Sequence, residues 1–471
     1  MNQDFTTDIV IGLEIHAQLN TKTKLFCSCP TNGTEAPNTR TCEVCLGHPG
    51  SKPVFNKKVV EYAIRLCLAL ESDIAPELIF SRKSYFYPDM AKNYQITQYE
   101  IPVGSNGKVK INDEKEVNIV RAHIEEDPAA LTHPAGMQNS SYVMVDYNRS
   151  GNPLIEIVTQ PEMYSAAEAR EFMKKLITIL EYLEIFDVNK GIIKADANVS
   201  IKESGYIRAE IKNVTGFKEI ERALNYEIDR QKRAVKEGEQ LKQETRAWDS
   251  DRGITFSLRT KETEEDYGYI IDPDLTKTEI TEGWINKIKE SMPELAHQKV
   301  SKFIEKHKIS REDAEVLAQE KFLAELFESV AKEVDARLAA KWLRRELIKV
   351  ANYHKKNLRD LEIEEAQIVK LLSLVEHKKI TENVAQKILE KLSEKCFDVE
   401  QYVKDEGLEA VSDSGELEKF CDEAISECQS AVEDYKNGTE KAINAVVGKV
   451  MQKTRGKADP AVVKELILKK I

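Results

Sequence analysis

A stretch near the N-terminus, "DIVIGLEIHAQL", places an acid and a histidine two positions apart inside an apolar run. Side chains along a β-strand alternate with a period of two, so Glu14 and His16 share one face while the apolar residues share the other. A sheet with one face on the core and one in solvent gives the same pattern. The alternation therefore predicts a strand, and it leaves open whether the polar face is a solvated surface or a binding site.

Further acids and a histidine follow in a second predicted strand, in the stretch "VRAHIEEDPAALTH". His123 lies in this strand, and Glu125 and Glu126 follow it directly. If the strand pairs beside the first, His123 and one of the two glutamates converge with Glu14 and His16 into a cluster of hard ligands of the type that Mg²⁺ prefers. Exposed runs of carboxylates also occur without a metal, so a solvated loop is the alternative.

A third acid, Glu156, interrupts the apolar strand "LIEIVT". An ionised carboxylate in such a strand is costly unless it is paired or binds a metal. A salt bridge with Arg149 or Arg121 would explain it equally well. The stretch "KADANVSI" repeats the theme, with Asp196 and Asn198 at the spacing of one strand face.

Four of the eight cysteines form two close pairs in "CSCPTNGTEAPNTRTCEVC". Two such knuckles can surround a tetrahedral ion with four thiolates, which leaves no position open for water. The spacing therefore predicts a structural zinc site formed by Cys27, Cys29, Cys42 and Cys45, with a set of free thiols as the alternative. The other cysteines are scattered, which favours a reducing cytosol over an extracellular disulfide framework.

The composition limits the class of protein that carries these residues. A chain of 471 residues is long enough for two to four domains. We expect a soluble, unsecreted protein, because no apolar run approaches the roughly 18–20 residues of a membrane span and the first residues do not resemble a signal peptide. A net charge of -12 argues against general adhesion to polyanions, although confined basic surfaces are compatible with it.

The pattern of elements predicts an α+β protein with three domains. Strands and a few helices alternate over 1–290, where Asn56 and Ser165 are predicted helix N-caps and Gly238 ends a third helix. From 291 to 400 Gly and Pro become sparse and helices dominate. A break around Gly407 to Gly415 suggests a boundary near residue 400, followed by a helical module over 401–471.

Several motifs of the chain together resemble one family. The stretches "IGLEIHAQL", "CLGHPGSKPVFN", "RKSYFYPDMAKNYQITQYE", "HIEEDPA", "VDYNRSGNPLIEIVT", "DANVSI", "EIKNV" and "KETEEDY" occur in order over the first 275 residues or so. They resemble the B subunit of the aspartyl/glutamyl-tRNA amidotransferase. The final stretch, "GKVMQKTRGKADPAVVKELILKKI", is similar to the end of the family's helical tail, so the resemblance spans nearly the whole chain.

The resemblance implies a carbon–nitrogen ligase that uses glutamine as its nitrogen donor and repairs misacylated tRNA. The side-chain carboxylate of Glu on tRNA-Gln, or of Asp on tRNA-Asn, is activated by ATP as an acyl phosphate and is then attacked by ammonia. The B subunit supplies the kinase and transamidase site in a cradle-shaped N-terminal domain. An amidase-type A subunit releases the ammonia from glutamine, and a small C subunit binds the two together in the cytoplasm.

The resemblance also implies roles for individual residues. It assigns the Mg²⁺ ligands to Glu14, His16, Glu156 and one of Glu125 or Glu126, of which it favours Glu126. It makes His123, Asp196 and Asn198 supporting residues of the pocket, and Lys83 a residue near the ammonia channel. In the tail, a tRNA-binding module, the implied phosphate contacts are Lys449, Lys453, Arg455 and Lys457.

Two other functions compete with this interpretation. A non-catalytic tRNA-binding adaptor on the same fold would not need the acids of the pocket, yet all of them are present. A zinc hydrolase would need an open metal position, and four thiolates leave none.

Overall fold

A nine-stranded sheet organises the first half of the chain. The structure is a computed structural model, and it describes residues 8–33, 36–134, 140–187, 191–260, 267–361, 363–410, 414–454 and 456–471. In chain order the strands are β1 (Ile9–Gln18), β2 (Asp73–Ile74), β3 (Glu77–Leu78), β4 (Ser81–Ser84), β5 (Tyr94–Thr97), β6 (Gly104–Lys110), β7 (Glu116–Glu126), β8 (Ala130–Thr132), β9 (Met144–Asp146), β10 (Pro153–Thr159), β11 (Ile193–Ile201), β12 (Ala209–Thr215), β13 (Glu244–Asp249), β14 (Ile254–Thr260), β15 (Gly268–Ile271) and β16 (Thr278–Glu279).

The first strand lies at the centre of this sheet, whose order is β14-β13-β12-β11-β1-β10-β7-β6-β2. Its neighbours β10 and β11 both pair with it antiparallel, and β12 with β13 is a parallel pair. Three smaller sheets have the orders β15-β4-β5, β16-β3 and β8-β9. The central position of β1 gives its polar face neighbours on both sides.

Helices cover part of this framework and form the second half of the chain. They are α1 (Lys57–Ala69), α2 (Ala166–Tyr182), α3 (Phe217–Lys236), α4 (Glu282–Glu290), α5 (Ala296–His307), α6 (Arg311–Leu317), α7 (Lys321–Val330), α8 (Ala336–Lys341), α9 (Ile348–His354), α10 (Glu365–Glu376), α11 (Glu382–Leu392), α12 (Val399–Asp405), α13 (Ser414–Glu427), α14 (Gln429–Lys436), α15 (Ile443–Lys453) and α16 (Pro460–Lys470). The mixed sheet followed by helices confirms the predicted α+β class.

The alternation of β1 is confirmed by burial. Leu13, Ile15 and Ala17 are at most 1% exposed, whereas Glu14 and His16 on the other face are half-buried. Helices α1, α2 and α3 pack against the sheet. The apolar face of β1 therefore belongs to the core, and its polar face lines a surface that is only partly open.

The predicted helix ends are confirmed as well. The Asn56 side chain accepts a hydrogen bond from Lys58 N at the start of α1, and Ser165 Oγ accepts one from Glu168 N at the start of α2. Gly238 follows α3 with a φ of 77°, a left-handed conformation that glycine adopts without strain. Signals that are local in sequence therefore mark where these helices begin and end.

The chain divides into two compact units, Met1–Leu295 and Ala296–Ile471. In the second unit a separate apolar core joins α13 to α16, with Cys421, Val446 and Ile467 fully buried in it. The three predicted domain ranges stay a prediction. Residue 400 lies inside α12, whose first residue Val399 donates its N–H to Gln367 Oε1 of α10 at 3.0 Å. Among the described residues, no helix has the length and apolar character needed to cross a membrane.

Candidate functional site

A row of acids and histidines crosses three adjacent strands of the sheet, β1, β10 and β7. His16 of β1 lies directly opposite Glu156 of β10, and Glu156 lies directly opposite His123 of β7. Directly opposed side chains share one face of a sheet. β7 does not pair beside β1, because β10 lies between them. This order brings Glu156 into the middle of the cluster.

The side chains of this row form a first cluster with Glu125. His16 Nε2 lies 3.3 Å from Glu156 Oε2 and 3.5 Å from Glu125 Oε1. His123 Nε2 lies 3.4 Å from Glu156 Oε2. One ligand atom each from His16, Glu125 and Glu156 lies within 4.8 Å of the other two, so these groups could hold a metal ion together.

The structure places Glu125 in this cluster and not Glu126, the residue that the resemblance favoured. The two residues are adjacent in β7, so their side chains point to opposite faces of the sheet. Glu126 lies in the interior, where it forms an ion pair with Lys92 and accepts a hydrogen bond from Ile96 N at 2.8 Å. Glu126 is thus engaged by groups of the fold, and the face with His16 carries Glu125.

The charges of the first cluster act strongly on one another. Although burial opposes the imidazolium, the hydrogen bond to Glu156 and the charge of Glu125 raise the pKa of His16 to about 10. Burial raises the pKa of Glu125 to about 7 and lowers the pKa of His123 to about 4. Against the effect of burial, the two histidines hold the pKa of Glu156 well below its usual range. The cluster therefore favours an ionised Glu156, and His16 would give up its proton on binding a metal ion.

A second acidic cluster adjoins the first on the other side of β1. Glu14 lies opposite Asp196 of β11, and with Glu210 of β12 they offer ligand atoms within 4.8 Å of one another. Lys212 Nζ lies 2.5 Å from Asp196 Oδ2 and 2.9 Å from Glu210 Oε1. Burial, followed by the charge of Glu156, raises the pKa of Glu14, so the two clusters share one electrostatic environment.

Sequence analysis missed Glu210 and Lys212 as site residues. Both lie in "EIKNV", where an acid and a lysine alternate with Ile211, the same period-two signal that singled out Glu14 and His16. The alternation alone would have found them, but only the pairing of β11 with β12 shows which face they share with Asp196.

The remaining predicted pocket residues lie around these clusters. Asn198 is opposite both Gly12 and Glu210, and its Oδ1 is buried without a hydrogen-bond donor among the described residues. Arg121 Nη2 lies 3.8 Å from Glu156 Oε1, so this arginine partly fulfils the salt bridge considered for Glu156. Arg149 instead donates to the carbonyls of residues 128 and 129.

Lys83 lies on β4, opposite Tyr269 of β15, and its Nζ is 4.6 Å from the centre of the Tyr267 ring. Burial raises the pKa of Glu125, and the charge of Lys83 acts in the opposite direction. Lys83 is therefore close enough to the first cluster to influence its charge.

The four clustered cysteines come together as predicted. Their Sγ atoms lie within 4.8 Å of one another, and those of Cys42 and Cys45 are 3.9 Å apart. Four thiolates at about 2.3 Å from a zinc ion would lie about 3.8 Å from one another. None of the four forms a disulfide, so the donor set and its spacing are compatible with zinc.

The predicted tRNA-contacting residues of the tail differ in their surroundings. Lys453 Nζ lies 2.6 Å from Glu423 Oε2 and 2.7 Å from Glu427 Oε1, and Lys449 Nζ lies 3.3 Å from Glu427 Oε2. Lys457 is half-buried just after α15, and Arg455 lies outside the described residues. Two of the four basic residues therefore already have acidic partners in α13.

Two family models match this chain, one over the sheet-containing first part and one over the helical second part. Residues 9–286 match the family model described as GatB/GatE catalytic domain, and residues 325–471 match the GatB domain. The aspartyl/glutamyl-tRNA(Asn/Gln) amidotransferase B subunit of Carboxydothermus hydrogenoformans is 41% identical over 474 residues, which cover 98% of each chain. The protein of that name from Methanosarcina acetivorans is 45% identical over 489 residues, again 98% of each chain. The one from Haloquadratum walsbyi is 43% identical over 486 residues, 99% of this chain and 97% of the relative.

Proposed function

This chain belongs to the family of aspartyl/glutamyl-tRNA(Asn/Gln) amidotransferase B subunits, and from this premise we propose that it catalyses the ATP-dependent amidation of misacylated tRNA. The substrates are Glu-tRNA(Gln), Asp-tRNA(Asn) or both, in the cytoplasm. The observation that carries the proposal is the first cluster, in which His16, Glu125 and Glu156 converge from three strands on one partly open face.

The chemistry explains why such a face is needed. A carboxylate oxygen of the aminoacyl group attacks the γ-phosphorus of ATP, and ADP leaves. Ammonia then attacks the acyl carbon, and inorganic phosphate leaves with the former carboxylate oxygen. The first step brings anions together, and divalent cations supply the charge neutralisation and alignment that phosphoryl transfer requires.

The residues present fit this requirement. His16, Glu125 and Glu156 would hold one Mg²⁺, and Glu14, Asp196 and Glu210 offer a second set of oxygen ligands beside it. Lys212 already pairs with Asp196 and Glu210, so it supplies a positive charge beside this second set of ligands. His123 is buried behind Glu156 and holds that carboxylate in place.

Two further parts of the chain have proposed roles beside this chemistry. Cys27, Cys29, Cys42 and Cys45 bind a structural zinc ion, because their donor set is complete and closed. An amidase-type A subunit would supply ammonia to the first cluster past Lys83, and a small C subunit would complete the heterotrimer. The positive charge of Lys83 acts on Glu125, which supports a gating role for this lysine.

The tail module is proposed to bind the body of the tRNA. We place its start after residue 410, because its apolar core begins with α13, whereas α12 bonds to α10. Lys457 and Arg455 are its first candidates for phosphate contacts. Lys449 and Lys453 would exchange their acidic partners for phosphate, and exposed ion pairs of this kind are weak enough to exchange.

The experiment isolates the chemistry of this chain from that of its partners. The heterotrimer is supplied with ammonium chloride in place of glutamine, and tRNA-dependent ATP cleavage and amidation of Glu-tRNA(Gln) are measured. We expect His16→Ala and Glu156→Gln to lose both activities by at least a hundredfold while tRNA binding is retained. Glu116→Gln, on the exposed end of the same strand as Glu125, is the matched control and should keep full activity. Full activity in the two site variants would instead favour the tRNA-binding adaptor.

A further inference from the structure

Lys24 is a lysine without any exposed surface, and it lies beside the cysteine cluster. Its Nζ donates to the carbonyls of Arg40 at 3.0 Å and Tyr147 at 3.3 Å, and lies 3.7 Å from Cys45 Sγ. Within the part of the chain that the structure describes, no carboxylate forms an ion pair with Lys24. A buried ammonium group without a counter-charge is costly, so the position of Lys24 calls for an anionic neighbour.

The cysteine cluster becomes that neighbour when it binds zinc. Four thiolates around one Zn²⁺ carry a net charge of minus two, whereas four protonated thiols carry none. The only sulfur within reach of Lys24 Nζ among the described residues belongs to this cluster. Metal binding therefore places a net negative charge beside the Lys24 ammonium group.

Lys24 also joins the cluster to the turn that leads into β10. Beside the Lys24 contact to Tyr147 O, Arg40 N donates to Asn148 Oδ1 at 2.7 Å. Farther along this turn, Gly151 N donates to Asp127 O at 2.9 Å, directly after the end of β7. A continuous set of contacts thus runs from the cysteines to the residue that follows Glu125 and Glu126.

We propose that Lys24 is the counter-ion of a zinc tetrathiolate, and that through Tyr147 it couples zinc binding to the segment over residues 145–152, which comprises the end of β9 and the turn before β10. This inference rests on the zinc site in the proposed function. Lys24 acts as a positioning residue, since it touches neither substrate nor the reacting atoms. Charge neutralisation predicts that its ammonium group favours the zinc-loaded protein over the metal-free one.

The test compares Lys24→Met with Lys22→Met in the full-length chain. Lys22 lies two residues away and is exposed, so its variant is the matched control. Zinc affinity is measured by competition with a chromophoric chelator, and unfolding in urea is followed with and without zinc. We expect Lys24→Met to bind zinc about 10- to 100-fold more weakly, as is typical when a group behind the metal ligands is lost. Lys22→Met should bind it like the parent.

The stability measurement separates this role from simple packing. Lys24→Met should lower the urea concentration at the midpoint of unfolding more when zinc is bound than when zinc is absent. An unchanged zinc affinity, or an equal loss of stability in both states, would overturn the inference. Failure of the parent itself to bind zinc would instead refute the zinc site in the proposed function.

A measurement on the parent chain covers the case in which Lys24→Met does not fold. Amide hydrogen exchange is compared between the zinc-loaded protein and the protein after chelation. We expect the amides of residues 145–152 to exchange faster after chelation, and those of α16 to exchange at an unchanged rate. Unchanged exchange over 145–152 would remove the proposed coupling.

Discussion

The separation of Glu125 from Glu126 leads to a prediction about stability. Glu126 is a buried acid whose side chain is 4% exposed, and its partner Lys92 is 10% exposed. Glu126→Gln keeps an oxygen that can accept from Ile96 N but leaves the Lys92 ammonium group buried without a carboxylate. Removing one charge of a buried ion pair lowers the free energy of unfolding by about 3–5 kcal/mol. Because one acceptor remains, we expect a decrease of about 3 kcal/mol in the free energy of unfolding.

Lys92→Met and the double variant with Glu126→Gln measure how strongly the two charges of this ion pair depend on each other. Lys92→Met should cost about as much as Glu126→Gln, because it leaves the carboxylate buried without its cation. The double variant removes both charges, and it should lie within about 1–2 kcal/mol of the parent, since apolar replacement of a whole buried pair is often neutral. The assay is urea unfolding of the full-length chain, which gives the coupling between the two changes as a double-mutant cycle.

Glu125→Gln is the matched variant from the other face of the same strand. Burial raises the pKa of Glu125 to about 7, from a usual value of 4.5, so its ionised form is disfavoured in the folded chain. The ionised group therefore lowers stability as pH rises from about 4.5 through 7. Neutralising it should leave stability at pH 8 unchanged or increased, while activity is lost. A Glu126→Gln chain as stable as the parent, or a Glu125→Gln chain less stable than Glu126→Gln, would refute the reasoning.

Three further predictions follow from other contacts. Gly104→Ala would press its Cβ against Cys67 Sγ, so we expect a loss of about 1–3 kcal/mol in urea unfolding, which a second change, Cys67→Ala, should largely restore. Asp459→Ala removes the cap that accepts from Ala461 N at 2.8 Å, and should destabilise α16 by about 1 kcal/mol, measured as faster amide exchange in α16 but not in α1. Glu210→Gln should weaken binding of Mn²⁺ to the second cluster and leave the first cluster able to bind it, as measured by electron paramagnetic resonance titration.

Local signals predicted the elements of the fold well. The period-two pattern of β1 and the side-chain caps Asn56 and Ser165 depend on residues close together in sequence, and the structure has each of them. The cysteine spacing likewise identified a group whose sulfur atoms meet. Such features need no knowledge of which strand lies beside which.

The arrangement of the site depended on long-range pairing, which local patterns do not reveal. The placement of β10 between β1 and β7 decides that Glu156, and not His123, lies opposite His16. The choice between Glu125 and Glu126 turns on which of two adjacent residues faces the cluster, and a shift by one residue reverses the answer. Glu210 is identified as a site residue only once the pairing of β11 with β12 is known.

The central claim is that the face with His16, Glu125 and Glu156 activates a tRNA-bound carboxylate as an acyl phosphate. The most direct test uses Glu-tRNA(Gln) whose γ-carboxylate is labelled with ¹⁸O, the heterotrimer, ATP and ammonium chloride. The account predicts that the inorganic phosphate released by the parent carries one labelled oxygen, and that Glu125→Gln releases no labelled phosphate. Unlabelled phosphate from the parent, or labelled phosphate formed by Glu125→Gln at the parental rate, would contradict it.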